Sequence, residues 1–464
     1  MTSKKTIFLF ALLFSLPLLG LGCKGGDQKA KQAGEKPITI KFWGVWDEKD
    51  YWEDIFADYR KAHPNVAFEY RKFRIEEYQD ALLEAWAEDR GPDIFMLHNT
   101  WTRQYLSKMS PLPEKITIPV QKVKGSIKKE VYWEFQQKIT PTPTQIENGF
   151  APVVAKDAII DGKIYGLPIA IDTLALYYNE DILNAAGIIS PPKTWTEFKE
   201  AVKKITKLTP DNQILQSAVA MGRADNVDRA VDILALLMMQ NGAQMTDANG
   251  LPAFHRIPPG GDPTYNPGVE AVIFYTDFAN PIKEVYTWNE KFSSSLEAFA
   301  RGQTAMMFGY SYHLPLVKAL APKISFKITE FPQIDPLARK FNFANYWLQG
   351  VSAKSENIET AWDFILFATT NEEEASKYLS KTTKAPALRS LIEKEAEKPD
   401  ASPFVKQAIT ATSWYRGYNS AIAEKLLRDM ITAINNGETK IEKLVNQTAQ
   451  RIIQTFNKPN YASQ

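Results

Sequence analysis

Residues 162–183, GKIYGLPIAIDTLALYYNEDIL, constrain the fold of this chain more than any other stretch. The turn signal Asp161-Gly162-Lys163 opens it, and an extended aliphatic run follows, interrupted by Pro168. Proline fixes φ and brings no N–H donor, so a sheet breaks at that point. Asp172 is the isolated carboxylate among Ile169, Ile171, Leu174 and Leu176, and the pair Tyr177-Tyr178 closes the run before Asn179 starts a helix. A long mid-chain strand with a proline and one carboxylate suits a passage between two lobes. It also suits a core strand of a single domain with a satisfied aspartate.

Length argues for the first of these. A chain of 464 residues exceeds one ordinary core, so two domains are expected. A hydrophobic share of 44% and a charged share of 23% are those of a soluble globular protein. The formal net charge of +1 gives no footprint for a nucleic-acid partner. The N-terminus carries Lys4-Lys5, an apolar run over residues 7–21 and then Cys23. That run has signal-peptide length and is short for a membrane-spanning helix. Cys23 is the single cysteine and stands directly behind the run, so disulfides are excluded and a lipidated thiol at a mature N-terminus is expected. Lipoprotein signals usually place Leu three residues before the cysteine; Gly20 stands there, flanked by Leu19 and Leu21. Residues 23–37, polar and rich in Gly and Lys, read as a flexible tether.

From residue 38 the pattern is strand, helix, strand, helix, strand. ITIKFWGV alternates. A helix with the apolar face Trp52, Ile55, Phe56 and Tyr59 follows, with Asp47 or Asp50 as its expected N-cap. VAFEYRKF, a helix marked by Tyr78, Leu82 and Trp86, and a short buried strand over residues 93–97 complete the unit. Such a unit makes a parallel α/β sheet, and ligands bind beyond the carboxyl ends of its strands. Trp43, Trp46 and the loop His98-Asn99-Thr100-Trp101 lie at those ends. Residues 110–150 are weakly patterned and are expected to be an insertion on the first lobe. Thr194 and Glu197 form a capping box, TAMMFG reads as a buried strand ending before Tyr310-Ser311-Tyr312, and residues 342–355 read as a second crossing strand containing Trp347. A third crossing is expected near residues 395–405, and the last portion is mostly helical.

The catalytic motifs are missing. The four histidines are scattered without metal-ligand spacing, and the chain has no P-loop, G-x-S-x-G or H-E-x-x-H. A literal G-x-G-x-x-G at Gly20, Gly22 and Gly25 has no strand before it and is coincidence. An aromatic beside a polar residue does recur at element ends: Trp46-Asp47, Asn99 to Trp101, Trp288-Asn289, Tyr310 to Tyr312 and Tyr418-Asn419. A ring covers the apolar CH face of a sugar, while Asp, Asn or His bonds its hydroxyl rim. Core packing is the alternative for each of these rings.

The same blocks carry a resemblance. Gly91-Pro92-Asp93-Ile94, GKIYGLP, LYYN, Pro192-Lys193-Thr194-Trp195-Thr196-Glu197, FARGQTAM and Ala361-Trp362-Asp363-Phe364 follow one another in the order found in bacterial extracellular solute-binding proteins of ABC transporters. The chain resembles in particular the carbohydrate-binding group that includes the maltose-binding protein. The resemblance implies an α/β, two-lobed periplasmic-binding-protein-like (Venus flytrap) fold with discontinuous lobes joined by three crossings. The expected division is residues 1–22 as signal peptide, 38–170 with about 350–400 as lobe 1, and 171–349 with about 401–464 as lobe 2. It implies a sugar or oligosaccharide ligand in the cleft, an ABC permease as partner, and a monomer held outside the cytoplasm by the lipid on Cys23. No enzymatic activity, cofactor or metal is implied. The candidate ligand residues are Trp43, Trp46, Asp47, His98, Asn99, Trp101, Asp172, Trp288, Tyr310, Tyr312, Trp347, Tyr418 and Asn419. Family members often have a Gly-Gly pair where this chain has Trp347 and a single Gly350, and the charged pair of the maltose-binding protein is Thr100-Trp101 here. A maltodextrin is therefore not implied. A binding protein for a polyamine, peptide or metal complex, and a surface glycoside hydrolase, are the alternatives.

Overall fold

The structure, a computed structural model, describes residues 28–458 except 127, 336 and 338. The apolar N-terminal run and Cys23 lie outside the described residues. The chain folds into two lobes, each built on a five-stranded sheet, with a four-stranded sheet between them.

The first sheet forms as its pattern predicts. Strand Ile38–Val45 pairs in parallel with Val66–Phe73 and with Ile94–His98, and the helices Asp50–Ala62 and Ile75–Ala87 connect them. Each helix buries its periodic face: Trp52, Ile55, Phe56 and Tyr59 from one, and Tyr78, Leu82, Ala85 and Trp86 from the other. The N-cap of the first helix is Lys49, whose backbone is itself helical, and no side chain caps it. Asp50 stands inside the first turn, and Asp47 is bonded elsewhere, so neither is the expected cap. Strand Trp347–Ser352 completes the sheet, antiparallel to Ile94–His98 and to Met109–Ser110. Gly350 lies on it where a Cβ would meet Met109 Cε at 2.8 Å, so a single glycine serves this close approach.

The second sheet has the order Lys207–Leu208, Ile214–Val219, Thr304–Gly309, Ala175–Asn179, Phe326–Thr329. Thr304–Gly309 is buried along its whole length, as its continuous apolar run requires. Thr194 and Glu197 make the expected capping box on helix Trp195–Ile205.

The sheet between the lobes orders Ala385–Pro386, Ala170–Thr173, Asn342–Asn345 and Ala411–Thr412. Leu167 exchanges backbone bonds with Gln349 of the first sheet, Pro168 breaks the run, and pairing resumes at Ala170. Leu174 alone then separates the crossing strand from Ala175–Asn179 of the second sheet. Likewise Tyr346 alone separates Asn342–Asn345 from Trp347–Ser352. A third passage lies between helix Glu372–Leu379, which packs on Asp50–Ala62, and helix Ser420–Asn435, which packs on Ala230–Gln240 and Pro267–Asp277.

Lys115–Lys124 and Glu130–Ile139 form a long antiparallel hairpin. Its inner face, Ile116, Ile118 and Val120, is buried against the first lobe, where Lys138 Nζ reaches Asp363 Oδ1 at 2.7 Å. The segment expected as a tether is helical over Gln28–Glu35 and packs on this hairpin. Ala30 is fully buried, and the Trp133 ring lies directly on Gly34. A partner distant in sequence fixes what composition alone reads as flexible.

Candidate functional site

The sheet between the lobes forms the floor of a cavity of about 330 Å³. Its walls come from the carboxyl ends of the first sheet, the start of helix Ala230–Gln240, the turn after Thr304–Gly309 and the first turn of Ser420–Asn435. This volume falls within the usual range for small-molecule sites.

Seven of the thirteen candidates line it: Trp46, His98, Asn99, Trp101, Asp172, Tyr312 and Trp347. Trp101 and Trp347 meet edge to face at 5.2 Å, and His98 meets Trp347 at 5.3 Å. Trp46, 55% exposed, extends from the first lobe parallel to Tyr312 of the second, with ring centroids 6.3 Å apart. Trp46 has φ 68°, a left-handed backbone that a bulky side chain rarely adopts. Arg229, on the opposite lobe, lines the same cavity with φ 58°. The other described non-glycine residues with positive φ are Asp89, Asp161 and Asn212, types that tolerate it. Both of the large side chains held in this backbone therefore face one cavity.

His98 is neutral. Burial and the nearby Arg229 charge push its imidazole down to about 4, against the bond to Asn345. Its Nδ1 accepts from the Thr100 N–H at 3.4 Å, and Nε2 lies 3.2 Å from Asn345 Oδ1. Asp172 is buried, and its carboxylate accepts from the Ser311 N–H and hydroxyl at 3.0 and 2.7 Å and from the Thr173 N–H at 2.9 Å. It ties the crossing strand to the second lobe while facing the cavity. Burial pushes it up to about 6, against those bonds.

Six candidates lie elsewhere. Trp43 packs on Phe73 at 4.6 Å. Asp47 lies behind the wall, its carboxylate accepting from Lys384 Nζ at 2.8 Å and Tyr378 OH at 2.7 Å. It thereby positions a cation and a phenol that do line the cavity. Tyr310 is buried and donates to Asp232 Oδ2 at 2.7 Å. Trp288 is core: it stacks on Phe292 at 4.3 Å, and its indole N–H donates to Asn226. Asn419 caps helix Ser420–Asn435, and the Tyr418 N–H bonds Thr455 O, so the lining there is Trp414, Ser420 and Glu424 instead.

Sequence reasoning missed Gln79, Arg229, Asp232, Asn345, Gln349 and Lys384, all on the wall. One signal was present: Asp232 stands alone in an apolar helix, as Asp172 does in an apolar strand. Arg229 Nε donates to Asp232 Oδ2 at 2.8 Å, holding the guanidinium at the cavity. Two buried acceptors on the wall, Asn99 Oδ1 and Gln349 Oε1, have no partner among the described residues. Buried acceptors are costly to leave unmet. Among the described residues no group of His, Cys, Asp and Glu is placed to hold a metal ion, and no helix is long and apolar enough to cross a membrane.

The chain matches the family described as bacterial extracellular solute-binding protein over residues 54–407. The galactooligosaccharide-binding protein of Bacillus subtilis (strain 168) is 21% identical over 405 residues, covering 84% of this chain and 82% of that protein. A putative binding protein of Brucella abortus (strain 2308) is 40% identical over 68 residues, and the chain spans 16% of that relative's length. Among solved structures, the cyclic α-maltosyl-1,6-maltose binding protein of Arthrobacter globiformis aligns with a TM-score of 0.70 at 18% identity, covering 90% of this chain and 99% of that one. An ABC transporter solute-binding protein of Thermotoga lettingae bound with α-D-tagatose aligns at 0.64 and 18%, covering 90% and 100%. With most of its length inside the family match, and a cavity between two lobes, the chain belongs to the bacterial extracellular solute-binding proteins.

Proposed function

We propose that the chain is the substrate-binding component of an ABC importer, taking a sugar or short oligosaccharide into the cavity between its lobes. The observation that carries this reading is the wall itself. Trp46, Trp101, Trp347 and Tyr312 offer rings to an apolar sugar face, and the polar side chains of Gln79, Asn345 and Lys384 on the same wall offer bonds to its hydroxyls. A site of this kind discriminates sharply, because a wrong ligand leaves buried polar groups unpaired. The galactooligosaccharide-binding relative and the tagatose-bound structure point to the same class.

Ligand touching both lobes favours the closed form, which is then read by the permease. A separate ATPase supplies the energy, and this monomer performs no chemistry on its cargo. Membership in an extracellular family places the chain outside the cytoplasm. Cys23, lipidated, would hold it at the membrane; firm retention takes more than one acyl chain.

The test is thermal unfolding of residues 24–464 with a panel of mono- and oligosaccharides. A ligand at about 100 times its Kd adds roughly 2.7 kcal/mol of stability. A shift with one sugar, recovered unchanged, supports the reading and names the cargo. Sugar breakdown favours a hydrolase, and no shift with any sugar sinks the carbohydrate assignment.

A further inference from the structure

The hairpin Lys115–Lys124 and Glu130–Ile139 has a second face that the cavity does not use. Cross-strand pairing puts Val123 with Val131, Gln121 with Trp133, Pro119 with Phe135 and Lys115 with Ile139 on one side. Helix Gln28–Glu35 covers Trp133, but the rest is bare: Val123 and Val131 are each 59% exposed, Phe135 40% and Ile139 82%. Four large apolar side chains on one face of one hairpin exceed the scatter of a normal surface. The tip beside them is basic. Lys128 and Lys129 are exposed and have no ion-pair partner among the described residues, while Lys124 and Lys122 stand on the hairpin's other face, Lys124 opposite Glu130 and Lys122 paired with Glu134.

We propose that this face of the hairpin, with its lysine tip, rests on the anionic headgroup surface of the membrane and sets the orientation of the two lobes above it. Two observations choose this occupant. The lysines complement acidic headgroups, and valines beside them suit shallow burial at the headgroup boundary. The helix docked on the same face begins at Gln28, five residues after Cys23. Five residues span at most about 18 Å when fully extended. A lipid on Cys23 therefore brings this face within reach of the bilayer, whereas a long tether would leave the orientation free. The proposal rests in this respect on the reading of Cys23 as the anchored residue.

The test uses the chain from residue 23 onward with Cys23→Ser, so that no acyl chain contributes. Co-sedimentation is measured with vesicles of phosphatidylcholine alone and of phosphatidylcholine mixed equally with phosphatidylglycerol. The expected result is binding to the mixed vesicles that weakens with salt and falls about fivefold for each of Lys128→Gln and Lys129→Gln. Val123→Ser with Val131→Ser weakens it further, and the thermal midpoint of each variant shows that the fold is kept. Equal binding to both vesicle types, no binding to either, or binding that the double lysine variant retains would overturn the proposal. Self-association through Val123 and Val131 in place of vesicle binding would also overturn it and assign the face to a second copy. Mass spectrometry of the native protein reads Cys23 separately. An unmodified thiol sinks the anchor alone, and the vesicle result still decides the surface.

Discussion

Asp172 carries two demands in one carboxylate. It joins the crossing strand to Ser311 of the second lobe, and it faces the cavity. Burial pushes its carboxyl up to about 6 from an ordinary 3.8, although the Ser311 and Thr173 bonds pull the other way. The folded protein therefore holds this proton more tightly than the unfolded chain. The stability linked to it is full below about 3.8 and is lost as pH rises through about 6. A displacement of about two pH units corresponds to roughly 3 kcal/mol. Asp172→Asn does not titrate, so the wild-type stability minus that of the variant should fall as pH rises from about 3.8 to about 6, read by urea unfolding. A difference that stays flat over this window would mean that the carboxyl ionises alike in folded and unfolded states. The sequence showed this residue through its isolation among aliphatics. It did not show that Ser311 occupies both carboxylate oxygens, because that pairing joins residues 139 apart in sequence.

At the scale of elements, the docked N-terminal helix offers a test in which two effects oppose each other. Gly34→Ala within a helix ordinarily stabilises by about 1 kcal/mol. Here the new Cβ would run into the Trp133 ring, and overpacking of this kind costs about 1–3 kcal/mol. The expected outcome is loss of hydrogen-exchange protection in Gln28–Glu35 while the sheets keep theirs; unchanged or increased protection would show the helix to be indifferent to the hairpin. The helix was illegible because Ala30 and Gly34 earn no weight as apolar residues until Trp133 is placed against them. The hairpin escaped for a related reason: its lysines and Pro119 blur the alternation that its inward Ile116, Ile118 and Val120 keep. Helix Asp50–Ala62 was legible through its own apolar face and Trp195–Ile205 through its capping box, because both are local properties. The Asp50 cap was not, since a cap depends on backbone geometry one residue before the helix.

At the scale of the molecule, the strand-end rule located the cavity, yet only about half of the named rings reach it. Proximity to a strand end does not say which face a ring takes. Trp288 and Tyr310 turned inward because buried partners, Asn226 and Asp232, meet their polar atoms. Trp46 turned outward, at the cost of a left-handed backbone, and met Tyr312 across the cleft. With parallel rings 6.3 Å apart and Thr383 Oγ1 donating to Ser311 O at 3.2 Å, the lobes stand close together. Contacts of this kind exist only while the lobes are near, so they weight the closed form and leave an open form untouched. A ligand beneath the rings adds its own contacts to the same form. X-ray scattering should therefore give a larger radius of gyration for the free chain than for the chain with the sugar found by thermal shift. Trp46→Ala should leave the free chain's radius unchanged and raise the sugar concentration needed for contraction by about tenfold, the loss of one aromatic contact of about 1.5 kcal/mol. If instead the free wild type is already compact and Trp46→Ala expands it, the two rings hold the empty cavity shut, and ligand entry requires their separation first.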